Sequence, residues 1–401
     1  MAPNILWIVT TQWRAQALGH AGDANARTPF LDAFAVAGTD YQQAVTPHPF
    51  GPFARAAMLT GVESPGNGLR DYFDVLPPGA RTIAHEMGDR SYSTAFFGKW
   101  HLSARDKSAP LTGEAHARTI VPSENRGGFG FWEGFESGFQ INNPWLHGTR
   151  LPEPVRFDGY QSDVVCERAS GFLSGLAGPW FSVVSLEAPH PPYGAPASGI
   201  APAGPLSISL RPNVPQPGPA ADRARGELSG YYAHIEATDR SIGRLVERMP
   251  KGTIIVFTSV HGDMHGSHGL FRKGWPHEES VRVPLLVLGA GAAGKDLRPV
   301  SLVDLHAMTT GWADGRPATE LRSAKTGGYA RISMPSVVAL PDQCDRAWTG
   351  YRNQACKFVT GPDGRIWLYF DLGDDPLELR NLADHPGVLA RMNAIRREIS
   401  S

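Results

Sequence analysis

The sequence predicts an α/β layered fold, and three observations carry that expectation. Short, nearly unbroken apolar runs recur at 4–10 (NILWIVT), 93–98 (STAFFG), 180–186 (WFSVVSL), 253–259 (TIIVFTS) and 283–289 (VPLLVLG). They are rich in β-branched and aromatic residues, as strands covered on both faces of a mainly parallel sheet are. Helical spacing lies between them, most clearly over 226–249, where Leu228, Tyr232, Ile235, Ile242, Leu245 and Met249 fall on one face. Strand alternating with helix is the signature of a sheet layered between helices.

The elements follow in order. NILWIVT reads as the first buried strand, too short for a secretion signal and without a basic lead, which points to a cytoplasmic protein. Segments 104–130 and 191–222 read as long loops, the second too proline-rich for regular structure. After about residue 325 the pattern changes to short alternating runs such as RIWLYFDL (365–372). That predicts a small antiparallel sheet closed by a last helix over 386–399. Two units are therefore expected: 1–324, a large α/β/α domain, and 325–401, a small C-terminal α+β subdomain.

Composition excludes several classes. Lys plus Arg number 38 and Asp plus Glu 39, so no overall field favours nucleic acid or an anionic membrane. No apolar run reaches membrane-spanning length. Three scattered cysteines, Cys166, Cys344 and Cys356, suit neither a disulfide framework nor a thiolate metal site. A homo-oligomer or a protein partner stays open.

Chemistry concentrates where strands end, which in such sheets is where sites form. TTQWR (10–14), GKWHL (98–102), APHPPY (188–193) and SVHGDMHGSHGLFRKG (259–274) are the polar segments that follow strands. They would bring Lys99, Lys273 and several histidines together with Arg55, a combination suited to binding an anion. Each residue also has an ordinary reading: Arg55 in a surface ion pair, Lys99 and His101 in structural hydrogen bonds, His190 in loop packing, Lys273 in solvent.

Seven stretches together resemble the sulfatase family of the alkaline phosphatase superfamily. They are RAAMLTG, FFGKWHL, PHPPY, YYAHIEATDRSIGRL, HGLFRKG, EESVRVPLL and the tail WLYFDLGDDPLELRNLADHP, in the family's order over essentially the whole chain. QWRA after the first strand resembles the arylsulfatase and phosphonate monoester hydrolase branch. The resemblance implies an alkaline-phosphatase-like α/β/α sandwich with a small C-terminal sheet. It also implies a divalent metal held by carboxylates and a formylglycine nucleophile made from Cys or Ser.

Position by position, the chain departs from that pattern. Thr11 stands where the first metal carboxylate is expected, followed by Gln12, and Val260 stands where a later aspartate is expected, followed by His261. The nucleophile's place is taken by Gly51, or by Phe50 if Phe53 counts as an insertion. The anion-facing positions are kept: Arg55, Lys99, His101, His190 and Lys273. Deleting carboxylates and ion together is nearly neutral in charge, so Thr11 and Val260 are coherent replacements for a site without metal.

The resulting expectation is a metal-independent enzyme with no cofactor, acting on an anionic small molecule bearing carboxylate, phosphate or sulfate. His101, His190 and His261 are its candidate catalytic groups; Arg55, Lys99, Lys273, Gln12, Thr11 and Gly51 are its candidate substrate contacts. Two alternatives remain: a non-catalytic pseudo-sulfatase that binds or scaffolds, and an ester hydrolase with displaced metal ligands. His261, His265 and Asp263 also raise the idea of a rebuilt metal site.

Overall fold

A computed structural model describes residues 2–316, 321, 323 and 326–400. Among these residues ten strands form one sheet. Its middle runs β9 (Ile254–Ser259), β1 (Ile5–Thr10), β8 (Trp180–Ser185), β4 (Ser93–Lys99) and β5 (Phe131–Phe135), all neighbours parallel. Past β9 lie β10 (Leu285–Leu288), antiparallel to it, then β2 (Thr39–Tyr41) and β11 (Gly294–Asp296). Past β5 lie β6 (Trp145–Gly148) and β7 (Val155–Arg156), both antiparallel to their neighbours. The run 283–289 is thus a strand, but one that reverses direction.

Alternation along β1 explains the layering. Ile5, Trp7 and Val9 enter one core with α2 (Gly51–Thr60), α3 (Ile83–Asp89) and α8 (Asp304–Ala313). Leu6 and Ile8 enter the other, with α1 (Pro29–Ala37), α5 (Gln161–Leu173) and α6 (Pro219–Glu247). Period-two burial on both faces, with helices over each, is the expected α/β/α sandwich.

Three differences from the sequence reading have local causes. Helix α6 begins at Pro219, not near 226, because Pro219 stands in the helix's first turn, where its missing N–H costs nothing. The 191–222 loop is shorter by those residues. The 104–130 loop carries a short α-helix, α4 (Glu114–Ala117), and a single 3₁₀ turn at Ser123–Asn125. Strand β5, FWEGF, was hidden by a charge and a glycine within it. Glu133 is buried but answered by Arg150 at 3.0 Å and by Arg168. Gly134 is required because a Cβ there would lie 2.2 Å from the Gly98 carbonyl of β4.

The tail forms an antiparallel sheet in sequential order, Ala330–Met334, Trp348–Arg352, Cys356–Thr360 and Ile366–Asp371, followed by a helix over Val388–Ser400. Its residues Ile332, Met334, Trp348 and Val359 share a core with β1 and α2. The expected boundary between Ala324 and Lys325 lies outside the described residues. Among the described residues no helix is long and apolar enough to cross a membrane.

Candidate functional site

Four adjacent parallel strands, β9, β1, β8 and β4, end at one edge of the sheet, and each carries a candidate residue just beyond or at its end. Thr11 and Gln12 follow β1, Lys99 ends β4, Glu187 and His190 follow β8, and Val260 and His261 follow β9. The start of α2 closes the cluster. Phe50 is its extended N-cap and makes no side-chain cap, and Gly61 ends it in the left-handed region at φ 67°. An uncapped helix start at a cluster of cations is a favourable place for an anion.

On the β4–β8 side the charges are answered by protein. Lys99 Nζ donates to Glu187 Oε1 at 2.7 Å, and both side chains are buried. Arg55 Nη1 donates to Ser185 Oγ at 2.5 Å and to the Lys99 carbonyl at 3.2 Å, while its Nη2 donates to Thr11 Oγ1 at 2.9 Å. Thr11 passes its own proton to the Leu186 carbonyl at 2.9 Å. Burial lowers the Lys99 ammonium to about 8 although Glu187 pulls it upward, and burial brings Arg55 down to about 10.

The α2–β9 side is different. Lys273 Nζ donates to Gln12 Oε1 at 2.9 Å and lies 3.3 Å from His190 Nε2, with no carboxylate within 4.0 Å among the described residues. Burial is the main cause that brings this amine down to about 7. Its backbone is held from the C-terminal unit. Lys273 N donates to Gln343 Oε1, Cys344 N to the Lys273 carbonyl, and Trp348 Nε1 to the Gly274 carbonyl at 2.8 Å. Gly274 N in turn donates to Pro49 O, just before α2.

Gly51 is the closest approach. A Cβ built on it would lie 3.0 Å from His101 Nδ1, and apart from Gly51's chain neighbours and own helix only that ring comes within 4 Å. His101 Nδ1 has no hydrogen-bond partner, and neither has His261 Nε2. The other edge of His101 receives Arg105 Nη1 at 2.7 Å. Gln12 and His101 both sit at positive φ, 73° and 61°, a conformation that non-glycine residues hold at a cost of roughly 1 kcal/mol or more. His190 stacks on Phe139, whose ring also lies 4.5 Å from Lys99 Nζ. Burial, above all, holds His101, His190 and His261 well below the usual histidine range, so all three are neutral.

A divalent ion of the kind the resemblance implies does not suit these donors. Thr11 Oγ1 is engaged with Arg55 and Leu186, Val260 offers nothing, and Gln12 Oε1 already faces an ammonium. The open lone pairs that remain nearby, His261 Nε2 and Glu187 Oε2, are one nitrogen and one oxygen, where hard ions need several oxygens. Nor do His261, His265 and Asp263 gather on one point. Asp263 is engaged by Tyr193 at 2.6 Å, by Gln12 Nε2 and by the His265 N–H at 3.0 Å. Burial opposes its ionisation, but His265, Arg272, Tyr193 and Gln12 together hold it below the usual carboxylate range. Among the described residues the one group with metal-like spacing is His268, Glu279 and Glu378. Arg211 and Asn213 occupy Glu279 there, and Lys357 occupies Glu378.

All nine expected site residues therefore converge on this sheet edge. Sequence reasoning missed Glu187, Phe139, Tyr193 and Arg105, together with Glu136, a buried acid whose Oε1 lies 3.5 Å from Arg105 Nε. Glu187 had a signal, an acid two residues beyond a strand that neighbours the one carrying Lys99; Arg105 had none.

Comparison with known proteins agrees with the architecture. The Sulfatase family model matches residues 3–315. The ulvan-active sulfatase of Formosa agariphila is 37% identical over 298 residues, covering 71% of this chain and 56% of that protein. This chain thus matches little more than half of that relative's length. The arylsulfatase of Clostridium perfringens is 25% identical over 476 residues, covering 99% and 93%. Among solved structures, the yidJ protein of Bacteroides fragilis superposes with a TM-score of 0.84 at 23% identity, over 99% of this chain and 94% of that one.

Proposed function

The chain belongs to the sulfatase family, and from that premise we propose that it is a metal-independent member that holds an oxyanion-bearing small molecule between α2 and Lys273. Its relatives' names point to sulfate esters; the site chemistry admits sulfate, phosphate or carboxylate. The observation that carries the reading is at residue 51, where no side chain exists although the partner of such a side chain, His101 Nδ1, waits 3.0 Å from its Cβ position. On this reading no attacking group is matured at Gly51, and among the described residues no carboxylate set beside α2 has metal-like spacing.

In this reading Lys99, Lys273 and the His101 N–H neutralise and orient the anion. Each ammonium retains an N–H beyond its protein contacts, since each has three. Proton transfer falls to Lys273 with His190 and His261. An amine held near 7 can both give and take a proton at neutral pH. Such a set suits elimination, isomerisation or condensation of an anionic substrate. A cytoplasmic setting is part of this reading; Cys166, Cys344 and Cys356 are buried thiols outside any disulfide.

One observation favours a second reading, binding without turnover: both Nη atoms of Arg55 donate to protein oxygens and Lys99 is paired with Glu187. Elemental analysis of purified protein, with calorimetric titration of inorganic sulfate and phosphate, tests the proposal. Anion binding without stoichiometric metal is the expected result. A tightly held divalent ion with cleavage of a sulfate ester would return the chain to ordinary ester hydrolysis.

A further inference from the structure

The three histidines of the cluster each have one ring nitrogen committed to a partner of fixed hydrogen-bonding sense. A guanidinium only donates, and Arg105 Nη1 lies 2.7 Å from His101 Nε2. The His101 proton therefore sits on Nδ1, the nitrogen that faces residue 51 and has no partner. Carbonyl oxygens only accept. The Gly262 carbonyl lies 2.9 Å from His261 Nδ1, which places that proton on Nδ1 and leaves Nε2 as a bare lone pair. In the same way the Pro191 carbonyl takes His190 Nδ1–H, so His190 Nε2 accepts from Lys273.

Among the buried atoms left unanswered are two of opposite sense, the His101 donor and the His261 acceptor. Glu187 Oε2 adds a second unanswered acceptor on a fully buried residue. The His261 ring lies 6.5 Å from that of Phe50, the same ring that Lys273 Nζ overlies at 5.3 Å. Phe50 is the N-cap of α2 and His101 Nδ1 faces Gly51 beside it, so His261, Lys273 and His101 flank the start of that helix. An unsatisfied buried donor or acceptor costs about 1–3 kcal/mol, so a ligand that answers both kinds is favoured over one that answers a single kind.

Sulfate and its esters offer only lone pairs. They answer His101 and the ammonium groups but set bare oxygens against His261 Nε2 and Glu187 Oε2. A phosphoryl group that keeps one proton presents acceptors and a donor together. On the reading above that an oxyanion is held here without metal, we propose that the site selects a proton-bearing phosphoryl oxyanion over sulfate, His101 Nδ1–H donating to it and His261 Nε2 accepting from it.

Inorganic phosphate and sulfate at about pH 8 make the sharpest probe, because hydrogenphosphate and sulfate then share charge and shape and differ by one proton. Calorimetric titration of the wild-type chain is expected to give phosphate at least tenfold tighter binding, on the order of one satisfied buried hydrogen bond. His261→Leu is expected to bring the two anions to within about threefold, whereas His101→Phe weakens both alike. Equal affinities in the wild-type chain, or tighter sulfate, overturn this inference and leave the anion site standing. Binding of neither anion to folded protein overturns both. If His261→Leu fails to fold, the wild-type ratio alone decides.

Discussion

Along β4 and β8 the buried charges answer one another. Lys99 has Glu187, and Arg55 has Ser185, Thr11 and a carbonyl. Along α2 and the loop after β9 they do not. Lys273 rests on an amide oxygen and a neutral imidazole, and His101 and His261 each leave a nitrogen bare. The first side is the more fully paired of the two and the second the more open, although in the sequence both were clusters of basic residues after strands. Basic residues mark a region; what distinguishes binding from packing is which hydrogen-bonding capacity is left over.

The largest loss is expected where Lys99 and Glu187 meet. Glu187→Ala leaves Lys99 buried and unpaired, and a loss of about 3–5 kcal/mol in denaturant unfolding is expected. A loss below about 1 kcal/mol would mean that Lys99 is not answered by Glu187 alone. On the other side, Lys273→Met removes a buried cation with no carboxylate partner. Stability is expected to hold within about 1 kcal/mol while anion affinity falls roughly 10–100-fold, read by titration beside a melting curve.

The pH dependence sharpens the same contrast. Lys273 is lowered from its usual 10.5 to about 7 in the folded chain, so between those values the unfolded state holds the extra proton. Stability from this group therefore rises as pH climbs through that window and is lowest below it. Anion binding moves the other way, weakening as pH rises through about 7 and the amine loses its charge. Lys273→Met is expected to flatten both trends. Lys99, lowered to about 8, adds to the stability slope and survives that substitution.

The smallest effect is expected at residue 51. Gly51→Ala changes helix propensity little, because residue 51 is the first of α2 and not in its interior. It brings a methyl to 3.0 Å from His101 Nδ1, which forces a shift of a few tenths of an ångström. The fold is expected to be kept, with anion affinity down by a few-fold. An unchanged affinity would show that the ligand does not approach α2.

The central strands were legible because each is apolar on both faces, and a run such as WFSVVSL has no other stable home. Strand β5 was not, since Glu133 is tolerated only through Arg150 and Arg168, distant partners that no local pattern reveals. The cluster was legible because the strand ends announce it. Its division into an answered and an unanswered half was not, because Glu187 and Arg105 act through space. The His101 tautomer depends on Arg105 in the same way.

The C-terminal sheet's grip on Lys273 has a consequence for how the molecule would respond to injury. The amine is aligned by Gln343, Cys344 and Trp348, none of which belongs to the large sheet. Heat, proteolysis or a substitution that loosened this small buttress would leave the ten-stranded layer standing while detuning its most reactive nitrogen. Loss of ligand affinity would then precede global unfolding, and a melting curve followed through bound anion would fall ahead of one followed through tryptophan.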